Sequence, residues 1–266
     1  MARGDLPPVT PGATRGPASS ARTRQTLIGL ALAAAIAAAW LAIHLGGIFA
    51  WTLAPANLPA AAAAALVLVQ AWLSTGLFIV AHDAMHGSLA PGRPRVNRVV
   101  GTVALGMYAG LDYRRLEPKH HLHHRHVGTG DDPDFSADHP RSAPRWFLRF
   151  FRTYYTHAQI GRITVVAIAY LLLGASLVNI AVFWAAPALL ALLQLFYFGT
   201  YLPHRHDERP FTDQHRARST SVGPLLSLLT CYHFGGYHHE HHLSPGTPWW
   251  ALPAFRRSRA PASVRS

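Results

Sequence analysis

The six residues Tyr237-His238-His239-Glu240-His241-His242 contain the histidine spacing His-x-x-His-His. The same spacing occurs upstream in the stretch His120-His121-Leu122-His123-His124. A shorter pattern, His-x-x-x-His, occurs in His82-Asp83-Ala84-Met85-His86. Each cluster lies close to a long apolar run, and histidine is the commonest metal ligand in proteins. The three clusters therefore indicate one metal centre, assembled at the face of a membrane.

The spacing within each cluster suits a helix, on which residues three and four apart share a face. A further histidine, His204, follows an apolar run, as His82 does. The eight cluster histidines and His204 make nine, more than one metal ion can bind, so we predict a two-metal site. Imidazole binds Fe, Zn, Cu and Ni, so the spacing alone does not identify the metal. The zinc-protease motif His-Glu-x-x-His is not found around Glu240.

The composition is that of a membrane protein. Half of the residues are hydrophobic and 14% are charged, whereas soluble domains carry about 25% charged residues. The single cysteine, Cys231, excludes an intramolecular disulfide framework and a cysteine-rich metal site. The net charge of +12 is better explained by a basic face against anionic lipid than by nucleic acid, because no nucleic-acid-binding module is recognisable.

Four apolar segments are predicted to cross the membrane as helices. The first two extend over Thr26–Ala50 and Leu58–Ala81, each long enough for the ~20 residues that a span requires. The 41 uncharged residues from Ile163 to Pro203 are too many for one span. We divide them near residues 174–179 and expect a kink at Pro187. The result is an all-α integral membrane fold with four transmembrane helices in two hairpins.

The distribution of charge predicts the orientation of these hairpins. All 24 Lys and Arg residues and all 12 acidic residues fall within 1–26, 82–162 and 204–266. The positive-inside rule then places both termini and all histidine clusters in the cytoplasm, where a helical cap would hold the metal site. The apolar run Val99–Leu111 is too short to span and is predicted to be an in-plane or re-entrant segment. The aromatic and basic segment Pro144–Tyr155 is predicted to be an interfacial helix.

The predicted domain organisation is simple. Residues 1–26 are rich in Pro, Gly, Ser and Thr and are predicted to form a disordered tail. Residues 27–255 form the membrane domain, and residues 256–266 form a basic carboxyl-terminal tail.

At this point the histidine patterns resemble those of the membrane fatty-acid desaturase/hydroxylase superfamily. Within it, four stretches resemble the bacterial β-carotene ketolase family, and the resemblance covers roughly residues 80–255. The stretches are His82–Ser88, Asp131–Phe135, Leu202–Arg205 and the run from Leu229 through Phe234-Gly235-Gly236-Tyr237 to Trp250. The long Phe-Gly-Gly-Tyr-His-His-Glu-His-His-Leu run is the most specific of them.

The resemblance implies a non-haem di-iron oxygenase of the bacterial cytoplasmic membrane. It implies dioxygen as oxidant and reduced ferredoxin as the probable electron donor. The substrate would be a lipophilic carotenoid, whose ring methylene at position 4 becomes a ketone through two hydroxylations and loss of water. The implied iron ligands are His82, His86, His120, His123, His124, His204, His238, His241 and His242, with Asp83 added as a catalytic residue.

Several other residues have both a functional and a structural interpretation. The carboxylates of Asp83, Asp131, Asp132 and Asp134 either orient ligand imidazoles or belong to a solvated turn. His126 and His233 are expected to be structural or to support the ligands, and four histidines are not expected to be ligands: His44, His139, His157 and His215. One aromatic set lines a substrate channel or belongs to an interfacial belt or the core: Phe196, Phe198, Tyr201, Trp249 and Trp250.

Three alternative functions remain open. The same scaffold could hydroxylate a carotenoid, or could desaturate or hydroxylate a fatty acid, although the run around Gly235 favours the ketolase. A metal transporter or sensor would need ionisable groups inside the spans, which contain almost none. A histidine-rich zinc hydrolase would differ in its iron content and in its dependence on dioxygen.

Overall fold

A computed structural model describes residues 19–52 and 57–259 of the chain. These residues form helices and turns, with no strand in either described range. Eight helices of the described residues precede the third histidine cluster. They are α1 (Ser19–Ala50), α2 (Asn57–Met85), α3 (Pro94–Ala109), α4 (Tyr113–His126), α5 (Ala143–Tyr154), α6 (His157–Leu172), α7 (Leu177–His204) and α8 (Pro224–Cys231). The short helix α9 (His238–Leu243) and α10 (Leu252–Arg259) follow.

Helix α2 is the centre of the fold, since α1, α3 and α7 all pack against it. Polar side chains within these long apolar helices are paired across the helix interfaces. The Trp40 indole donates to Ser74 Oγ at 2.9 Å, and Thr75 Oγ1 donates to Gln194 Oε1 at 2.9 Å. In lipid an unpaired polar group has no water to bond with, so such pairs fix how the helices pack.

Within the described ranges, three helices are long and apolar enough to cross a membrane, which confirms the membrane character predicted from composition. Their apolar segments are Ser19–Ala50, Ala60–Met85 and Leu177–His204. The long uncharged stretch divides where it was expected to, because α6 ends at Leu172 and α7 begins at Leu177. Helix α6 is apolar but has only 16 residues. The fourth span and the two hairpins therefore stay predictions.

Two domain boundaries and one helix distortion differ from those predicted. Helix α1 begins at Ser19, so residues 19–26 belong to it rather than to a tail, and residues 1–18 lie outside the described residues. Helix α10 includes Arg256, so the predicted basic tail is ordered as far as Arg259, and residues 260–266 lie outside the described residues. The distortion expected at Pro187 is a π-helical turn over Ala181–Ala185, after which the helix continues.

Local signals explain where α4 and α6 begin and where α3 ends. The Asp112 carboxylate accepts a hydrogen bond from Arg114 N at 2.9 Å, and Thr156 Oγ1 accepts one from Gln159 N at 3.1 Å. Both are N-cap bonds, which satisfy backbone donors that a helix start leaves free. Gly110 ends α3 with a φ of +62°, a conformation that favours glycine. The segments predicted to lie in or on the membrane surface are thus the helices α3 and α5; their depth stays a prediction.

Helix α3 approaches α4 closely at Gly101, where we predict a loss of stability on substitution. A Cβ atom at this position would lie 2.2 Å from Cε2 of the buried Tyr113 ring. We expect Gly101→Ala to destabilise the protein by about 1–3 kcal/mol, because overpacking forces the ring or the helix to shift. The matched control is Gly106→Ala on the same helix, where a Cβ would meet no atom within 4 Å. Thermal unfolding in detergent measures both; equal unfolding temperatures would contradict the packing argument.

Candidate metal centre

Four separate parts of the fold bring the nine predicted histidines together. Helix α2 ends at the first cluster, α4 carries the second, α7 ends at His204, and α9 consists almost wholly of the third. Apart from His82, His86 and His204, the histidines lie on α4 and α9. The sequence predicted these positions because the histidines follow apolar spans or recur at helical spacing.

The nine side chains form two groups of converging nitrogen atoms. Within each group, one ligating nitrogen from every ring lies within 4.8 Å of all the others. The first group is His82, His86, His120, His124 and His241, and the second is His123, His204, His238 and His242. No other group of this kind occurs in residues 19–52 and 57–259. All nine sequence-predicted histidines are therefore in one of the two groups.

The division between the groups follows the spacing of the two longer clusters. His120 and His124, four residues apart, belong to the first group, while His123 belongs to the second. In the third cluster the pattern is reversed, because His238 and His242 belong to the second group and His241 to the first. Each His-x-x-His-His stretch therefore contributes to both groups and connects them.

The Nε2 atoms face one another inside each group. In the first group His86 Nε2 lies 2.6 Å from His120 Nε2, and His241 Nε2 lies 3.1 Å from His124 Nε2. In the second group His238 Nε2 lies 2.8 Å from His204 Nε2 and 3.1 Å from His242 Nε2. The groups themselves are adjacent, since the rings of His124 and His242 stack with centroids 4.3 Å apart.

The electrostatics keep most of these rings neutral. Burial, reinforced by neighbouring imidazoles, lowers the pKa values of His120, His241 and His242 well below 6.5. A neutral imidazole has the free lone pair that a metal ion needs. Buried, neutral, all-nitrogen sites of this kind fit the transition metals that imidazole binds, including iron.

Two histidines are oriented through their ring nitrogen Nδ1. His123 Nδ1 lies 2.9 Å from Asp132 Oδ1, and His204 Nδ1 lies 2.9 Å from the carbonyl oxygen of Arg216. Burial opposes a charge on His123, but the carboxylates of Asp134 and Asp132 outweigh it and raise the pKa of the ring. Such contacts fix which nitrogen faces a metal. The role of Arg216 was missed, because a backbone acceptor has no signal in the sequence.

The acidic turn 131–134 is divided between both of its predicted roles. Asp132 is buried and also accepts hydrogen bonds from Gly128 N at 2.8 Å and Asp134 N at 2.9 Å. It therefore orients His123 and shapes the turn. Asp131 is exposed and has no recorded polar contact with the described residues.

Asp83 does not hydrogen-bond to a cluster histidine. Its carboxylate lies 3.9 Å from His82 Nδ1, too far for a hydrogen bond, and accepts one from Trp249 N at 3.1 Å. Its contact attaches the segment after α9 to the end of α2. The structure therefore gives Asp83 a supporting position rather than a place among the converging groups.

The remaining histidines lie outside both groups, as predicted. His44 is buried in α1, where its ring stacks on Trp40 with centroids 4.2 Å apart. His233 is buried beside Trp249, and burial lowers its pKa to about 4. The other histidines that were considered are also outside the groups: His126, His139, His157 and His215.

A salt bridge that the sequence did not indicate holds the third cluster. Arg256 Nε lies 2.7 Å from Glu240 Oε1, and Arg256 Nη2 lies 2.9 Å from Glu240 Oε2. The same guanidinium donates to Gly236 O and lies over the Tyr237 ring, 3.9 Å from its centroid. Because Arg256 is on α10, this contact fixes α9 from outside the metal site. The residue was assigned to a tail, so its partner could not be predicted.

A cavity of about 420 Å³ leads to the two groups. Seven of the nine histidines line it, all except His86 and His204. The rest of its wall is mostly apolar and comes from α2, α3, α5, α6 and α7. Its lining also includes Ile160 of α6 and Leu189 of α7, whose side chains are exposed. The volume is in the range typical of small-molecule sites.

The aromatic residues suggested for a channel do not line this cavity. Phe196 and Tyr201 pack with Trp146 in a separate core cluster, and Trp249 packs beside Tyr232. The aromatic side chains in the cavity wall are Phe78, Tyr108, Phe150, Phe151, Tyr154, Tyr155, Trp184 and Phe234. The sequence alone could not distinguish the two sets, since both occur beside apolar runs.

The fold and the histidine groups have counterparts among known proteins. The family described as fatty acid desaturase matches residues 55–165 and 153–265. The chain belongs to the fatty acid desaturase family, which confirms the predicted resemblance.

Several proteins similar to this chain are named as ketolases. A β-carotene ketolase of Paracoccus sp. strain PC1 is 48% identical over 236 residues, which cover 89% of this chain and 95% of the relative. A β-carotene ketolase of a second Paracoccus strain is 48% identical over 231 residues, covering 87% of this chain and 93% of the relative. The zeaxanthin 4-ketolase of Chlamydomonas reinhardtii is 39% identical over 244 residues, covering 88% of this chain and 54% of the relative.

The Asp132 contact predicts a specific loss of metal binding. We expect Asp132→Asn to lower the affinity for a bound transition metal roughly 10- to 100-fold, because His123 loses a charged partner that orients it. The matched control is Asp131→Asn, which makes the same change at the exposed neighbouring residue. Elemental analysis and metal titration of the purified proteins measure the effect. Equal metal content and affinity in the two variants would contradict an orienting role for Asp132.

Proposed function

We propose that this membrane protein is a carotenoid ketolase that converts the ring methylene at position 4 to a ketone. The observation that carries the proposal is the apolar cavity that ends on both histidine groups. Relatives that match nearly the whole chain at 48% identity are β-carotene ketolases, which supports a carotenoid substrate.

The nine grouped histidines are proposed to hold two iron ions, one in each group. Both groups offer only imidazole nitrogen, and the shared clusters would keep the two ions close together. When bound, the iron centre would supply the oxidation of an allylic C–H bond by dioxygen. The contribution of this chain is to hold the ligands, to position the ring and to exclude water.

The cavity suits a substrate that lies in the bilayer. A carotenoid ring would pass between α6 and α7, beside the exposed Ile160 and Leu189, and would reach the histidines through apolar surroundings. The remainder of the polyene would stay among the lipid chains. An apolar wall at this depth keeps water away from the reaction. It offers the ring few polar contacts, so binding depends mainly on shape.

The overall reaction requires two oxidations at one carbon. Each converts a C–H bond to C–OH and consumes one dioxygen, two electrons and two protons, with one water released. The geminal diol then loses water to give the ketone. We propose that reduced ferredoxin supplies the electrons to the basic cytoplasmic face, since charge complementarity favours an acidic donor.

Product analysis in bacteria that accumulate β-carotene tests the proposal. We expect ketone-bearing pigment with the unsubstituted chain. We expect this pigment to be lost with His241→Ala, which removes an imidazole from the first group, and with His123→Ala, which removes one from the second. His139→Ala, outside both groups, is the matched control and should retain ketone formation. Chromatography and mass spectrometry identify the pigments. Hydroxylated pigment alone would indicate a hydroxylase, and unchanged β-carotene with iron-loaded protein would argue against a carotenoid substrate.

We further propose four spans in the bacterial cytoplasmic membrane, with the histidine groups and both termini in the cytoplasm. In a Cys231→Ala background, Thr52→Cys and Leu173→Cys should react with a membrane-impermeant maleimide added to spheroplasts. Asp131→Cys, in the cap, should react only after the membrane is permeabilised. Thr52 and Leu173 are exposed at the turns before α2 and α7, and Asp131 is exposed near the metal site. Labelling of Asp131→Cys in intact spheroplasts would contradict the orientation.

A further inference from the structure

One polar pair stands out in the mostly apolar cavity wall. Asp134 and Tyr154 both line the cavity, and the Tyr154 hydroxyl donates a short hydrogen bond to Asp134 Oδ1. The pair lies beside the second histidine group, since Asp134 Oδ2 is 3.8 Å from His123 Nδ1. A ring positioned for oxidation at the histidines would therefore be close to it.

The hydrogen-bonding capacity of the pair is one-sided. Tyr154 uses its only O–H proton on Asp134, so its hydroxyl oxygen can only accept a further hydrogen bond. Asp134 Oδ2 is too far from His123 Nδ1 for a hydrogen bond, and no other described residue donates to it. With Asp134 as a carboxylate, both free positions are acceptors. A ligand group that binds here must be a hydrogen-bond donor.

The pair is also held rigidly. Asp134 N donates to Asp132 Oδ1 at 2.9 Å, and the Trp146 indole donates to Asp134 O at 2.6 Å. Lys119 Nζ lies over the Tyr154 ring, 5.0 Å from its centroid. Acceptors fixed before the ligand arrives cost little to organise on binding.

We propose that Asp134 and Tyr154 bind the hydroxyl of the alcohol intermediate and hold it for the second oxidation. This inference rests on the proposed ketolase function. The starting methylene has no polar atom to bond here. The alcohol and the geminal diol both carry an O–H donor, whereas the ketone carries only an acceptor. The pair would therefore retain the partly oxidised ring and release the finished product, which favours a ketone over an alcohol as the final product.

The test is the alcohol-to-ketone ratio made by Tyr154→Phe in bacteria that accumulate β-carotene. This variant keeps the ring and removes one acceptor as well as the contact that positions Asp134. We expect the ratio to rise roughly three- to tenfold, the scale of one hydrogen bond. Tyr197→Phe, which makes the same change outside the cavity, is the matched control. Iron content, measured on both purified proteins, should equal that of the unsubstituted chain.

A second measurement separates binding of the alcohol from general damage. With purified protein, Tyr154→Phe should raise the KM for added 4-hydroxylated carotenoid and leave the KM for β-carotene unchanged. If Tyr154→Phe does not accumulate, Asp134→Asn, which replaces one acceptor oxygen by a donor, replaces it in both comparisons.

The outcomes are distinct. An unchanged product ratio, an equal rise in Tyr197→Phe, or parallel changes in both KM values would overturn the inference while leaving the ketolase proposal intact. Failure of the unsubstituted chain to oxidise any ring would instead refute the proposed function.

Discussion

The convergence of nine imidazoles, six of them buried, is the constraint on which the structure depends. The rings must face one another across a few ångströms, so small errors in helix position would separate them. The fold meets this requirement by anchoring the ends of α2 and α7 and by fixing α4 and α9 from outside. Asp132, the Arg216 carbonyl and the Glu240–Arg256 pair act on different histidine-bearing segments. The polar contacts thus surround the two groups and leave their interior to imidazole nitrogen alone.

The two longer clusters also explain why the groups are coupled. A helix presents residues four apart on nearly one line and the residue three positions along slightly to the side. In this chain that small angular difference separates His123 from His120 and His124, and His241 from His238 and His242. Any rotation of α4 or α9 therefore alters both groups together. One short helix can in this way set the relation between the two histidine groups.

Much of the architecture could be predicted from the sequence, because its determinants are local. Apolar length predicts the three long helices, helical spacing predicts the eight cluster histidines, and His204 is predicted from its position after an apolar run. The division into two groups depends on the relative rotation of helices that are distant in sequence, which no local pattern encodes. The same limit applies to Asp83, which contacts Trp249 instead of a histidine, and to Tyr154, which was assigned to an interfacial helix. The ordered position of Arg256 was not predicted. Its salt-bridge partner, Glu240, lies inside a histidine cluster, and the sequence pattern was explained by the histidines alone.

The contact between Asp83 and Trp249 joins residues that are 166 positions apart in the chain. During biosynthesis the apolar helices can enter the bilayer one after another, since each satisfies its own backbone hydrogen bonds. The third histidine cluster and α10 are made long after α2. Contacts of such long sequence separation form slowly. Until the third histidine cluster is synthesised, the histidines at the end of α2 and in α4 lack the partners that complete both groups.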